Sequence, residues 1–192
     1  NSKVKEYANY IHTGGQHLLS LVNDILDQNK IETGEIKIAF EKFNAAVLLK
    51  EYIAELEPIS NDKNQTINLE IDTKSTFIYS DRRLFKQVIF NLLSNAQKYS
   101  PENNKIDILI ETGFKNTLQI SIKDNGDGIS NEIIEQLFEF KNQPQTHFIS
   151  NAKGTGLGLI IVHQLMIRLE GKFDIVSKPE KGTEVFLNFP RR

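Results

Sequence analysis

Residues 91–99 read NLLSNAQKY, and four of them carry groups suited to metal and phosphate chemistry. Asn91, Asn95 and Lys98 sit at offsets of four and seven, so on a helix they form one stripe, with Tyr99 slightly further round. Amide oxygens are hard ligands of the kind Mg²⁺ accepts alongside water and substrate phosphates. A lysine ammonium neutralises phosphate charge. The tyrosine ring suits packing on a base, or on neighbouring side chains. Leu84, Phe85, Val88, Ile89, Leu92, Leu93 and Ala96 give the same helix a broad apolar face, and the polar stripe runs along its border. An ordinary amphipathic helix with a solvated edge has the same pattern.

Two further stretches carry chemistry. In LQISIKDNGDGIS the apolar Leu118, Ile120 and Ile122 alternate with Gln119, Ser121 and Lys123, which places Asp124 in phase with the buried face of a strand. A carboxylate turned inward needs a hydrogen-bond donor, and an exocyclic amino group such as that of adenine is a suitable one. Gly126 and Gly128 let a flat ligand approach the backbone, although Asn-Gly and Asp-Gly are also plain turn formers. In KGTGLGLIIV, Gly154, Gly156 and Gly158 open an apolar helix whose first N–H groups suit phosphate. No Gly-Lys-Ser/Thr closes this stretch, and Leu159 stands where a dinucleotide fingerprint needs glycine.

The elements that must position these groups follow from periodicity. Residues 2–31 repeat every seven, with Val4, Ile11, Leu18 and Ile25 on one seam, Tyr7 and Leu21 between them, and Ala8 and Val22 widening the stripe. This predicts a long bundle helix, weakened at Gly14 and Gly15 and ended near Gly34. Beyond it, strands are expected at 36–43, 65–71, near 77–80, at 105–111, 117–124, 171–178 and 183–189. Helices are expected at 45–59, stopping near Pro58, from a cap at Asp81 to Tyr99, near 130–138, and at about 157–170. Gly113–Asn116 reads as a hairpin turn and 139–153 as a polar loop.

The 192 residues suit one domain plus an extension, and 39% hydrophobic content permits a packed core. A formal charge of −2 gives no general attraction to nucleic acid or to an anionic membrane, and neither is expected as a partner. With no cysteine, disulfide and thiol chemistry are excluded. No apolar run reaches the roughly 18 residues of a membrane span, and NSKVKEY does not resemble a signal peptide. A start inside a helical pattern, without Met, reads as a fragment of a longer protein. A cytoplasmic location is expected, with any anchor upstream.

Taken in order, NLLSNAQKY, DNGDGI and GTGLGL resemble the ATP-binding domain of sensor histidine kinases, with smaller matches at SDRRLFKQV and PEKGTEV. The resemblance covers 36–192. GGQHLLSLVNDILDQNKIETGE, residues 14–35, is similar to the second helix of that family's dimerisation and phosphoacceptor hairpin, and 1–33 is assigned to that helix. The implied fold is α+β, the Bergerat two-layer sandwich, with a mixed sheet, helices on one face and a preceding bundle helix. The implied activity is Mg²⁺- and ATP-dependent phosphoryl transfer to a histidine and then to an aspartate on a response-regulator receiver domain. The intact protein is expected to dimerise through the N-terminal helix.

Residue by residue, the resemblance makes Asn95 an Mg²⁺ ligand and Asn91 a holder of metal and phosphates. Lys98 becomes a phosphate contact and Tyr99 an adenine-packing ring. Asp124 reads the adenine amino group, beside Gly126, Gly128 and Ile129. Lys153, Gly154, Thr155, Gly156, Leu157 and Gly158 form the phosphate side, and Thr183 supports adenine through water. The chain departs from the family in two respects. LFEFK keeps Phe138 and Phe140 but lacks the Phe-x-Pro-Phe proline. No phosphoacceptor motif is present either: His12 precedes Thr13 and His17 precedes Leu18, where an acidic residue is needed, and His147 and His163 show no ligand pairing. Alternatives are a degenerate module that binds nucleotide or docks a partner without self-phosphorylation, and an ATPase of the wider superfamily. The ATPase would need a general-base glutamate where Asn91 stands.

Overall fold

The computed structural model describes residues 37–139 and 157–191, together with Gly15 and Val22. The heptad segment otherwise lies outside the described residues, as do His12, His17, Phe140, His147 and Lys153–Gly156.

Among the described residues eleven strands and helices follow one another: β1 (Glu41–Asn44), α1 (Ala45–Asp62), β2 (Thr66–Asp72), β3 (Phe77–Ser80), α2 (Arg82–Tyr99), β4 (Lys105–Thr112), β5 (Leu118–Asp124), α3 (Asn131–Glu139), α4 (Leu157–Arg168), β6 (Lys172–Ser177) and β7 (Thr183–Phe189). The main sheet has the order β2-β4-β5-β7-β6. It is mixed: β2 runs parallel to β4, and every other pairing is antiparallel. The register lines up apolar residues across one face, with Ile108 opposite Ile122, Ile122 opposite Val185 and Val185 opposite Ile175. Lys123 and Glu184, opposite one another, belong to the other, polar face. A strand alternating in this way buries one side only, so the helices gather there. Helix α2 packs between α1 and α4 over this face. Phe85 on α2 meets Phe43 of β1 and Phe189 of β7, with ring centroids 5.5 and 5.3 Å apart. The expected two-layer α+β architecture is present in the described residues.

Three features differ from expectation by more than a residue or two at an element's end. Of the expected strand 36–43, the described residues are extended strand only from Glu41, in β1 (Glu41–Asn44), which pairs with the four residues of β3. Ahead of it, the Ala39 N–H donates to the Asp81 carboxylate (2.8 Å) and the Lys37 carbonyl accepts from the Arg83 guanidinium (3.1 Å). Side chains at the start of α2 thus take up backbone groups that a longer strand would have paired. Helix α1 continues past Pro58 to Asp62. Proline removes the donor to the carbonyl four residues earlier, here at the exposed Ala54, where water can replace it. The hairpin turn contains a short 3₁₀ segment, Phe114–Asn116, and Lys115 and Asn116 rather than Gly113 take positive φ.

Asp81 caps α2 as expected. One carboxylate oxygen accepts from the Arg83 and Leu84 N–H groups at 2.9 and 3.1 Å, while the other holds Ala39. Asp81→Ala leaves all three donors without this partner, and should cost about 2 kcal/mol of stability. Urea unfolding monitored by circular dichroism would measure it, and Asp81→Asn should retain about half the effect.

Candidate functional site

The polar stripe of α2 occupies the border predicted for it. Asn91, Asn95 and Tyr99 are half-buried and Lys98 is exposed, its ammonium 5.2 Å from the Tyr99 ring centroid. The Asn91 Nδ2 atom is buried and has no hydrogen-bond partner among the described residues. One turn on, Asn95 faces the start of α4. A Cβ added to Gly158 would stand 3.2 Å from Asn95 Nδ2, a tight contact, so the first turn of α4 lies close against the amide. The structure therefore brings Asn95 beside a helix start whose leading N–H groups have no partner within the helix, with Asn91 one turn earlier on α2.

The C-terminal end of α2 is held by side chains that the sequence did not advertise. Lys63 Nζ donates to the Gln97 carbonyl at 2.8 Å, and Gln65 Nε2 donates to the carbonyls of Gln97, Ser100 and Pro101, each at 3.1 Å. Buried Gln97 in turn donates to the Ser60 hydroxyl on α1. These bonds take up carbonyls that end the helix and fix where Lys98 and Tyr99 leave it.

Asp124 ends β5 on the inner face, as its phase predicted, and stands opposite Thr183 of β7. Its carboxylate accepts from the Gly126 N–H at 2.8 Å and from the Thr183 N–H. Burial raises its pKa above the usual carboxylate value, and these two backbone donors pull in the opposite direction. The loop after β5 lies on the end of α2: the Asp127 N–H donates to the Tyr99 carbonyl at 3.2 Å, and a Cβ at Gly126 would come 2.5 Å from that oxygen. Gly128 has φ +70°, and any Cβ there would run into the Lys178 carbonyl. The same helix thus carries the two amides and, one turn later, meets the loop that follows the carboxylate.

Ser177 is the residue that sequence reasoning missed. It is buried at the end of β6, opposite Thr183, and its hydroxyl meets the Ile129 N–H (2.8 Å), the Gly182 carbonyl (2.8 Å) and the Thr183 hydroxyl (3.0 Å). A signal was available. Phe173, Ile175 and Ser177 share a strand phase, so Ser177 is a polar residue in an apolar register, as Asp124 is. His163 is buried against Phe138 and Phe173, with centroids 5.2 and 5.8 Å away. Among the described residues no three His, Cys, Asp or Glu side chains gather as a metal cage.

An inward carboxylate at one end and an amide beside a helix start at the other suit a ligand with a flat, donor-bearing ring and an anionic tail. Residues 80–192, more than half of the chain, match the model of the family described as histidine kinase-, DNA gyrase B-, and HSP90-like ATPase. The chain belongs to that family. It is 32% identical over 198 residues to the non-motile and phage-resistance protein of Caulobacter vibrioides, covering all of this chain and 23% of that protein. It is 31% identical over 198 residues to the cell-division control histidine kinase PdhS of Brucella ovis, covering 99% of this chain and 19% of the kinase. The chain spans about a quarter or less of the length of these two relatives. The structure of the histidine kinase ThkA in complex with the response regulator TrrA superposes with TM-score 0.76 and 26% identity, over 98% of this chain and 52% of that one. Full-length ShkA in complex with AMPPNP has the same fold, with TM-score 0.78 and 23% identity, over 97% of this chain and 38% of that one. Family, relatives and fold agree on a sensor histidine kinase ATP-binding domain.

Proposed function

We propose that the chain is the catalytic part of a two-component kinase, using Mg-ATP to phosphorylate a histidine outside residues 1–192 and serving a response-regulator aspartate downstream. The observation that carries this is the placement of Asn95 against the start of α4, one helical turn from Tyr99, whose carbonyl holds the loop that follows Asp124. The AMPPNP bound to ShkA and the regulator bound to ThkA support the nucleotide and the partner, respectively.

The residues present fit Mg²⁺ bound with phosphate. Asn95 and Asn91 offer amide oxygens, and the orphaned Asn91 Nδ2 is a donor in need of an acceptor such as a phosphate oxygen. When bound, Mg²⁺ neutralises phosphate charge. Lys98 adds its ammonium at the rim of the site, and the run Lys153–Gly158 leads into the helix start where backbone N–H groups bind phosphate. At the other end, Asp124 accepts the adenine amino proton, Tyr99 packs on the ring and Thr183 reaches it through water. Gly126, Gly128 and Ile129 form the floor.

Transfer is favoured over hydrolysis by the composition of α2. The helix contains no Asp or Glu, so it supplies no base to activate water. In this reading residues 1–33 are the second helix of the phosphoacceptor hairpin and of the dimer interface, and 36–192 the catalytic domain. Phosphoryl transfer needs an acceptor held in line, which an ATP-binding domain alone does not supply. The chain should therefore bind ATP in Mg²⁺ yet incorporate negligible label from γ-labelled ATP, until a segment bearing an acceptor histidine is joined upstream. The label should then survive alkali and not acid. Strong alkali-stable labelling at His12 or His17 of the present chain would overturn the helix assignment.

A further inference from the structure

The Ser177 hydroxyl has one proton and two lone pairs, and its three neighbours account for all of them. The Gly182 carbonyl only accepts, so Ser177 donates there (2.8 Å). The Ile129 N–H only donates, so Ser177 accepts there (2.8 Å). The remaining contact, at 3.0 Å to Thr183, is then completed by the Thr183 proton. We infer that Ser177 is a positioning residue that sets the hydrogen-bond polarity of the base pocket: it takes the only proton of Thr183, so Thr183 and Asp124 together present only side-chain acceptors and select a 6-amino purine nucleotide.

This rests on the nucleotide reading above and adds a residue that does not itself reach the ligand. Ser177 is buried behind Thr183, and Thr183 stands in register with Asp124 on the neighbouring strand. A 6-oxo purine would turn an acceptor toward these acceptors and find no side-chain proton for a direct bond. A 6-amino purine offers two protons, one for a direct bond and one for a water-mediated bond. If Ser177 is removed, Thr183 regains a free proton and can turn it toward a 6-oxo group. The same hydroxyl also fixes the Ile129 N–H, and so the exit of the loop from Gly128.

The test is a calorimetric titration of the full chain with ADP and with IDP in Mg²⁺. The unmutated protein should prefer ADP, and Ser177→Ala should narrow that preference by about tenfold, the worth of one hydrogen bond, chiefly through tighter IDP binding. Ser177→Thr, which keeps the hydroxyl, should restore the preference. Ser177→Cys has nearly the same shape and weaker bonding, and should fall between; it is the deciding variant if the alanine protein does not fold. A preference unchanged in Ser177→Ala, or in Ser177→Cys where that variant decides, overturns the role of Ser177 while leaving the nucleotide reading intact. No preference for ADP in the unmutated protein overturns both. Equal loss of ADP and IDP affinity would show Ser177 to be structural only, and would likewise overturn the inference.

Discussion

Asn95→Ala should weaken ATP binding by about 100-fold in the presence of Mg²⁺ and leave the residual affinity in EDTA nearly unchanged, because a hard oxygen ligand is lost while the base contacts remain. Asn95 is half-buried and lies against Gly158, so the truncation opens space at the start of α4 without exposing the apolar face of α2. Asn95→Asp is the informative partner variant. It retains an oxygen and adds a charge, and should keep Mg²⁺-dependent binding within about tenfold of the original. Paired titrations with and without Mg²⁺ read both outcomes. Equal loss in the two media for Asn95→Ala would mean that the residue packs the helix rather than binds metal.

Asp124→Asn is the second large effect. The amide keeps the shape but replaces one acceptor oxygen with a donor, which meets the adenine amino group proton to proton. The expected cost is about 1–3 kcal/mol, roughly 5- to 150-fold in affinity for ATP, with a smaller loss for a 6-oxo nucleotide. The same residue makes binding depend on pH. Burial raises the Asp124 pKa, so its carboxylate takes up a proton at a higher pH than an ordinary aspartate does. As pH falls toward that raised value the acceptor is lost, and ATP affinity should drop in the unmutated domain while Asp124→Asn stays flat. The linkage has a definite sign. Between the ordinary and the raised pKa the folded state holds more protons than the unfolded chain, so this group alone lowers stability as pH rises through that interval. A nucleotide that prefers the ionised form should release protons on binding there. Titrations in buffers of different ionisation enthalpy would detect them.

The parts of the fold that were legible in the sequence are those governed by a short period. Alternation in β4, β5 and β7 marks which residues face inward, and Asp124 is placed among them by its phase alone. The stripe Asn91–Asn95–Lys98 was readable because a helix repeats every three to four residues. What was not readable depended on partners distant in the chain. The strand expected from residue 36 shortens because Asp81 and Arg83, over forty residues away, take its backbone groups. The ties from Lys63 and Gln65 to the end of α2 span more than thirty residues, and no local pattern marks them. Ser177 is an intermediate case. Its phase was visible, but a lone serine near a strand end is ordinary, and only its three simultaneous partners give it a role.

The register of β5 with β7 has a consequence for how the molecule assembles. Asp124 and Thr183 are neighbours in space yet about sixty residues apart in the chain. A folding chain must close that long loop before the base pocket has two sides, and the chain entropy of closure is lost before any contact in the pocket compensates for it. Nucleotide therefore has little to hold until the two strands have met. It should then slow unfolding far more than it speeds folding, and the unfolding limb of a denaturant chevron should move with ATP concentration while the refolding limb stays in place.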